Sequence, residues 1–158
     1  MRSIATTPLD ADAFRPYGDV FEAPRDYRRI YVSNALANGR ATARPSLSVI
    51  RVKPLATPTL IAAKMERHEF SSQSFIPLDA GRYLIVVAPM SSNGRLDESG
   101  LKAFLARGNQ GITFGMNIWH HPLTVLDRDA SFAITMWLEG SATDEQFVDL
   151  SAPVNVTF

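Results

Sequence analysis

Residues 83–88 read Tyr-Leu-Ile-Val-Val-Ala, an unbroken apolar run that ends at Pro89. A run of this length is typical of a β-strand that is buried on both of its faces. On either side of it, prolines and turn residues separate other short segments rich in Val, Ile, Thr, Phe and Tyr, a spacing typical of a many-stranded sandwich or barrel. We predict further strands at residues 47–52, 60–68, 112–114, 123–126, 132–138 and 154–158.

Two other segments have helical patterns. Residues 9–14 form the first, with Asp10 as a possible cap. The second is residues 101–107, where apolar side chains recur at helical spacing before Gly108, a residue that often ends a helix. No repeat or linker divides the sequence, so we predict one all-β domain over residues 1–158 with one or two short helices.

Composition limits the chemistry that the chain can use. It has no cysteine, which excludes thiol nucleophiles, disulfides and thiolate metal clusters. Its 16 basic and 16 acidic residues balance, which argues against a nucleic-acid-binding protein. No apolar run approaches the ~20 residues that cross a bilayer, and no signal peptide is evident, so we expect a cytoplasmic protein without membrane contact. Imidazole chemistry is confined to His68, His120 and His121.

The first polar cluster lies at the end of the strand predicted over residues 60–68. Glu66 and His68 fall on the same face of such a strand because side chains alternate. Leu60 and Ala62 share this parity, which predicts that the two polar side chains point to an apolar interior. Gln73 follows five residues after His68 and could converge with them. The alternative is a solvated polar strand end beside a turn.

The second polar cluster is Asn-Ile-Trp-His-His-Pro-Leu at residues 117–123. Adjacent histidines on a strand face opposite sides, so only one of His120 and His121 is expected to enter a given site. Trp119 offers a large apolar wall with a single N–H donor. The alternative is one structural histidine beside one surface histidine.

Together the clusters parallel the two-part metal-binding pattern of cupin barrels. In that pattern a hairpin supplies imidazole and carboxylate groups, and a later strand supplies a last histidine. Here Glu66, His68, Gln73 and His120 would be the ligands, and they could hold a divalent metal such as Ni, Mn, Fe or Zn. The same four groups could instead bind a substrate without a metal.

Several stretches of the chain resemble the ureidoglycolate lyase family, also called ureidoglycolate hydrolase. They are PYGDVFE, MERHEFSSQSFIPL, the strand ending in VVA, LKAFLARGNQGI and NIWHHPL, and the resemblance runs over roughly residues 8–135. It implies a cupin-type double-stranded β-barrel, a homodimer, and a late step of allantoin degradation in which ureidoglycolate is split into glyoxylate and urea. It also implies a divalent metal, with nickel the one named, and no organic cofactor.

The resemblance assigns expected roles to individual residues. His68, His120 and Glu66 would be catalytic, and Glu66, His68, Gln73 and His120 would hold the metal. The residues expected to bind the small-molecule substrate are Lys64, Gln73, Asn117, Trp119 and His121.

The strand predicted at 132–138 departs from the family pattern. Met136 and Trp137 stand where members usually carry an Asp-Arg pair, and arginine is the natural partner of a substrate carboxylate. Lys64 shares the parity of Glu66 and is the better replacement, since Arg67 alternates away from that face. The alternative is therefore a divergent cupin that converts another small 2-hydroxy or 2-oxo carboxylate, or that binds such a carboxylate without catalysis.

Overall fold

The computed structural model describes residues 1–158 and is almost entirely β-structure. One α-helix, α1 (Ala11–Phe14), and one 3-10 turn at Glu98–Gly100 are the helical elements. The strands are β1 (Arg2–Pro8), β2 (Gly18–Phe21), β3 (Arg44–Val52), β4 (Leu60–Arg67), β5 (Gln73–Asp79), β6 (Tyr83–Ala88), β7 (Lys102–Ala106), β8 (Gly111–Phe114), β9 (Trp119–His120), β10 (Thr124–Val125), β11 (Ala130–Leu138) and β12 (Gln146–Thr157).

Six of the strands close into a ring. Their order is β6, β7, β1, β12, β4 and β9, and β9 pairs again with β6. β1 runs parallel to both of its neighbours, and the remaining neighbours are antiparallel. The ring encloses an apolar cluster, here called the ring core: Leu60, Ala62, Met65, Leu84, Val86, Ala88, Leu101, Ala103, Trp119, Leu126, Leu150, Val154 and Val156.

β10 pairs with β6 at the outside of the ring, and the remaining five strands form a second sheet in the order β2, β8, β5, β11 and β3. A second apolar cluster, here called the intersheet layer, joins side chains of this sheet to the opposite faces of β6 and β7: Leu9, Phe14, Tyr17, Phe75, Tyr83, Ile85, Val87, Phe104, Ala106, Ile112, Phe114, Val125, Ala130 and Phe132. Ile85 and Val87 belong to this layer, whereas Leu84 and Val86 belong to the ring core. The prediction that the run at 83–88 is buried on both faces is therefore confirmed, as is the all-β, cupin-like barrel.

The predicted helix at residues 101–107 is wrong, since these residues form β7. β7 lies between β6 and β1, and both of its faces are covered, so its apolar residues need not alternate. Gly108 does not end a helix. A Cβ atom at this position would lie 2.0 Å from the carbonyl oxygen of Ala80, so glycine permits a close contact between two chain segments.

The predicted strands and the predicted N-terminal helix are confirmed with shifted boundaries. Asp10 caps α1 and accepts hydrogen bonds from the backbone N–H groups of residues 12 and 13, both at 3.0 Å. β5 is a strand that the sequence did not indicate, because Pro77 interrupts its pattern. The proline is tolerated beside a register shift in the pairing with β11. No helix in the structure is both long and apolar enough to span a membrane.

Candidate active site

The predicted ligand residues converge where β4, β5 and β9 meet. Glu66 and His120 are direct partners in the β4–β9 register, which places their side chains on the same face. His68 follows β4 by one residue and Gln73 begins β5. One potential ligand atom each from Glu66, His68 and His120 lies within 4.8 Å of the others, and all four residues are buried.

Backbone carbonyls fix the orientation of both histidine rings. Nδ1 of His68 lies 2.9 Å from the carbonyl oxygen of Asp144, and Nδ1 of His120 lies 2.9 Å from that of Ile118. A carbonyl can only accept, so each Nδ1 carries the proton. In the neutral imidazole, each Nε2 therefore keeps a free lone pair, the form in which histidine binds metals.

The free atoms of the site have no hydrogen-bond partner within the protein. Nε2 of His68, Nε2 of His120 and Oε1 of Gln73 are all fully buried and unpaired. The nearest carboxylate oxygen, Oε1 of Glu66, lies 3.2 Å from Nε2 of His120 but is not aligned as a hydrogen bond. An unpaired buried polar atom costs about 1–3 kcal/mol, so two on clustered imidazoles, with a third on Gln73, which lines the same cavity as His68, indicate a missing partner.

A divalent cation fits this set of atoms. Two imidazole nitrogens, one carboxylate and one amide oxygen are all electron-pair donors, and no hydrogen-bond donor lies among the unpaired atoms of these four residues. Nitrogen and oxygen ligands suit borderline divalent metals. The stacking of Phe114 on the His120 ring, with 4.1 Å between ring centroids, adds an apolar wall that holds the imidazole in place.

Burial and neighbouring charge act on the ionisable groups of the site. Burial alone would raise the pKa of Glu66, but the adjacent imidazole of His120, with those of His68 and His121, outweighs it and lowers the pKa. Glu66 is therefore a carboxylate at neutral pH. Burial lowers the pKa of His68, which keeps its imidazole neutral. Both groups are in the protonation states that bind a metal ion.

An open cavity of about 290 Å³ leads to this group. No lysine or arginine contributes to its wall, and Glu145 is its one carboxylate without a hydrogen-bond or ion-pair partner in the chain. The lining residues are His68, Gln73, Met136, Leu138, Ser141, Ala142, Asp144 and Glu145.

Lys64 does not reach the cavity. It lies on the Glu66 side of β4, as predicted, but its side chain is exposed and its ammonium group lies 3.9 Å from Asp149. The prediction that Lys64 is placed to bind a substrate carboxylate is therefore wrong. Lys64 lies two residues before Glu66 along β4. At that point of the strand its side chain lies on the protein surface beside Phe147, outside the intersheet layer.

Asn117 and Trp119 also face away from the cavity. Oδ1 of Asn117 accepts a hydrogen bond of 2.8 Å from Arg67, whose guanidinium lies 4.5 Å above the Trp119 ring. Trp119 belongs to the ring core. Side-chain alternation directs Arg67 to the face of β4 opposite Glu66. Asn117 and Trp119 contact Arg67 and therefore do not line the cavity.

The structure corrects the prediction for His121. Alternation was expected to turn it to the side opposite His120, but β9 ends at His120 and the alternation stops there. His121 instead lines a small apolar pocket with Phe75 and Phe114, within the intersheet layer. Its Nδ1 lies 2.8 Å from the carbonyl oxygen of Pro122.

The apolar parity used to orient Glu66 is also wrong. Leu60 and Ala62 point into the ring core, and Met65 joins them there, not Glu66. Alternation breaks at Ala63, opposite a bulge formed by residues 150–153 of β12. Glu66 and His68 are buried next to His120, whose ring stacks on Phe114 of the intersheet layer.

Fold and site together define a cupin-like barrel whose buried Glu-His-His group could hold a metal ion. The family model described as ureidoglycolate lyase matches residues 1–157. The chain belongs to the ureidoglycolate lyase family.

Named relatives cover most of the chain. A ureidoglycolate lyase from Burkholderia cepacia is 40% identical over 139 residues, which are 80% of this chain and 75% of that protein. One from Pseudomonas syringae pv. syringae is 35% identical over 158 residues, 93% of this chain and 91% of that protein. Among solved structures, a dTDP sugar isomerase from Desulfovibrio desulfuricans G20 is similar in fold alone, with a TM-score of 0.50 and 14% identity over 83% of this chain and 81% of that one.

Proposed function

We propose that the protein is a ureidoglycolate lyase that releases urea from ureidoglycolate and leaves glyoxylate. The observation that carries this proposal is the convergence of three unpaired buried ligand atoms and the Glu66 carboxylate beside a small open cavity, in a chain of this family. The size of the cavity suits a small metabolite.

Glu66, His68, Gln73 and His120 would hold the metal ion, and we name nickel because of the family resemblance. When bound, the ion supplies a positive centre that polarises the substrate hydroxyl and neutralises its carboxylate. The second effect is needed because no basic side chain lines the cavity. Ser141 is a polar side chain on the wall that can donate a further hydrogen bond to the substrate.

Proton transfer needs a group that is not occupied as a ligand. The substrate carbon bears a hydroxyl and a ureido nitrogen, so elimination removes a proton from the oxygen and returns one to the nitrogen. The carboxylate of Asp144 is held by Arg40, whereas that of Glu145 is free. We therefore assign the proton acceptor to Glu145, which can then return the proton to the departing urea. Without a bound metal, Nε2 of His68 or His120 would take this role.

A turnover assay tests the proposal. Purified protein is incubated with ureidoglycolate, and glyoxylate and urea are measured separately, with and without a chelator. We expect equal amounts of both products and a large loss of rate after metal removal. Stabilisation against heat by glyoxylate or oxalate without any product release would instead identify a binding protein and would overturn the proposal.

We further propose that the enzyme is a cytoplasmic homodimer in allantoin degradation. β3 is an edge strand of the five-stranded sheet, and its Leu47 and Val49 are 70% and 68% exposed. Exposed apolar residues on an edge strand favour pairing with a second copy. Sedimentation velocity should give a dimer for the natural chain and a monomer for Leu47→Arg. A monomeric natural chain would contradict the proposed dimer.

A further inference from the structure

The aspartate whose carbonyl contacts His68 also organises the loop after β11. The Asp144 carboxylate accepts hydrogen bonds from the backbone N–H groups of Glu139 at 3.1 Å, Gly140 at 2.7 Å and Ser141 at 3.2 Å. Its backbone carbonyl oxygen accepts from Nδ1 of His68. One residue therefore folds the loop with its side chain and orients a ligand histidine with its backbone.

Arg40 closes this arrangement from the other side. Its Nη1 donates to the Asp144 carboxylate at 2.8 Å, and its Nη2 donates to the carbonyl of Thr143 at 3.2 Å. The guanidinium lies 4.2 Å above the ring of Phe70, two residues after His68. The side chains of Arg40 and Asp144 are only 14% and 13% exposed, so solvent screens this contact little. The loop is thus fastened to the segment that carries His68.

The second ligand histidine has no comparable dependence. Nδ1 of His120 is bonded to the carbonyl of Ile118, only two residues earlier in the chain. The partner of His68 is 76 residues away in sequence. The ring of His68 therefore keeps its orientation only while the remote loop stays in place.

We propose that Asp144 is a positioning residue that fixes the tautomer and orientation of His68. With its carboxylate in place, the carbonyl of the same residue holds the proton on Nδ1 and leaves Nε2 directed into the site. Loss of the carboxylate releases the loop. The backbone carbonyl of residue 144 then no longer stays next to Nδ1 of His68. The effect on metal affinity rests on the proposed metal site, but the effect on the tautomer does not.

The test compares Asp144→Ala with a matched control, Asp129→Ala. Asp129 is also an aspartate in an ion pair with an arginine, Arg51, but it lies on the surface. Nitrogen-15 NMR of the metal-free proteins reports which nitrogen of His68 carries the proton, and titration with Ni²⁺ reports affinity. We expect a single Nδ1–H tautomer in the natural protein and the control, and a mixture in Asp144→Ala with an affinity about 10–100-fold lower.

Two further variants keep the proposal falsifiable if Asp144→Ala does not fold. Asp144→Asn keeps an acceptor oxygen and should restore most of the tautomer preference, and Arg40→Gln should weaken it partially. An unchanged His68 tautomer with unchanged Ni²⁺ affinity in the folded variants would overturn the proposal. If the natural protein binds no Ni²⁺ but the tautomer still shifts in the variants, the metal site is wrong and the role of Asp144 stands.

Discussion

The ring core and the intersheet layer are both apolar clusters, yet they treat polar groups differently. In the ring core the one unpaired buried polar atom is Nε1 of Trp119, a donor that cannot bind a cation. At one end of the intersheet layer, three unpaired acceptors of His68, Gln73 and His120 are buried together. The ring core stabilises the fold, whereas this end of the intersheet layer gives up stability at the site where we propose that a metal ion binds.

The largest expected effect breaks the site without disturbing the ring. His120→Ala should lower kcat/KM on ureidoglycolate by about 1,000-fold, since it removes a ligand atom and the partner of Glu66. Its free energy of unfolding should change little, because two effects oppose each other. Removal of an unpaired buried atom stabilises the protein, and loss of the packing on Phe114 destabilises it. Steady-state kinetics and urea unfolding measure both quantities, and unchanged turnover would eliminate the role of His120.

The converse variant disturbs the ring and spares the site. Leu60→Ala removes a buried side chain of the ring core at the end of β4 remote from Glu66. We expect a loss of about 2–5 kcal/mol in the free energy of unfolding, as for other buried leucines. Turnover per folded molecule should stay the same. A parallel loss of kcat would show that the two clusters do not act separately.

A smaller effect should separate metal binding from proton transfer within the site. Glu145→Gln should lower kcat by about 100-fold, because the amide cannot accept the substrate proton. Its Ni²⁺ affinity should match that of the natural protein, since Glu145 is not one of the proposed ligands. Glu69→Gln, at a half-buried carboxylate outside the cavity wall that is paired with Arg67, is the control for the loss of a nearby negative charge. Equal loss in both variants would remove Glu145 from the mechanism.

The smallest effect concerns pH and stability. Burial lowers the pKa of His68 below its usual value of 6.5, and burial lowers that of His121 also. The unfolded chain therefore takes up protons near pH 6.5 that the folded chain does not. The free energy of unfolding of the metal-free protein should be retained above this pH and fall below it, by at most about 1.4 kcal/mol per pH unit for each of the two histidines. His68→Gln should show about half this slope in urea unfolding between pH 7.5 and 5.5, and an unchanged slope would contradict the buried neutral state of His68.

The strand pattern predicts much of the barrel and brings together the residues proposed as ligands, but the reason for one of these predictions is wrong. Alternation correctly places Glu66 and His68 on one face. The burial of that face was inferred from Leu60 and Ala62, which point to the ring core instead. The alternation of β4 breaks because β12, the strand that pairs with it, has a bulge. β12 lies far from β4 in the sequence. Local pattern carries no signal for it.

Tertiary contacts decide the elements that the pattern leaves ambiguous. Residues 101–107 have helical spacing, but β6 and β1 pair with the two edges of this segment, and the two apolar clusters cover its two faces, which stabilises a strand. Asp144 gives no signal in the sequence, because its contact with His68 joins segments 76 residues apart. In the sequence, Met136 is only a departure from the family pattern. In the structure, its sulfur lies 3.8 Å from Nε2 of Gln73, and this contact directs the amide oxygen of Gln73 inward.

The most direct test of the metal site is anomalous X-ray diffraction from crystals of the Ni²⁺-loaded protein, measured on both sides of the nickel absorption edge. We predict one strong anomalous peak within bonding distance of Nε2 of His68, Nε2 of His120 and the Glu66 carboxylate. No peak at this position, in protein that still converts ureidoglycolate, would contradict the proposal that the unpaired atoms are metal ligands.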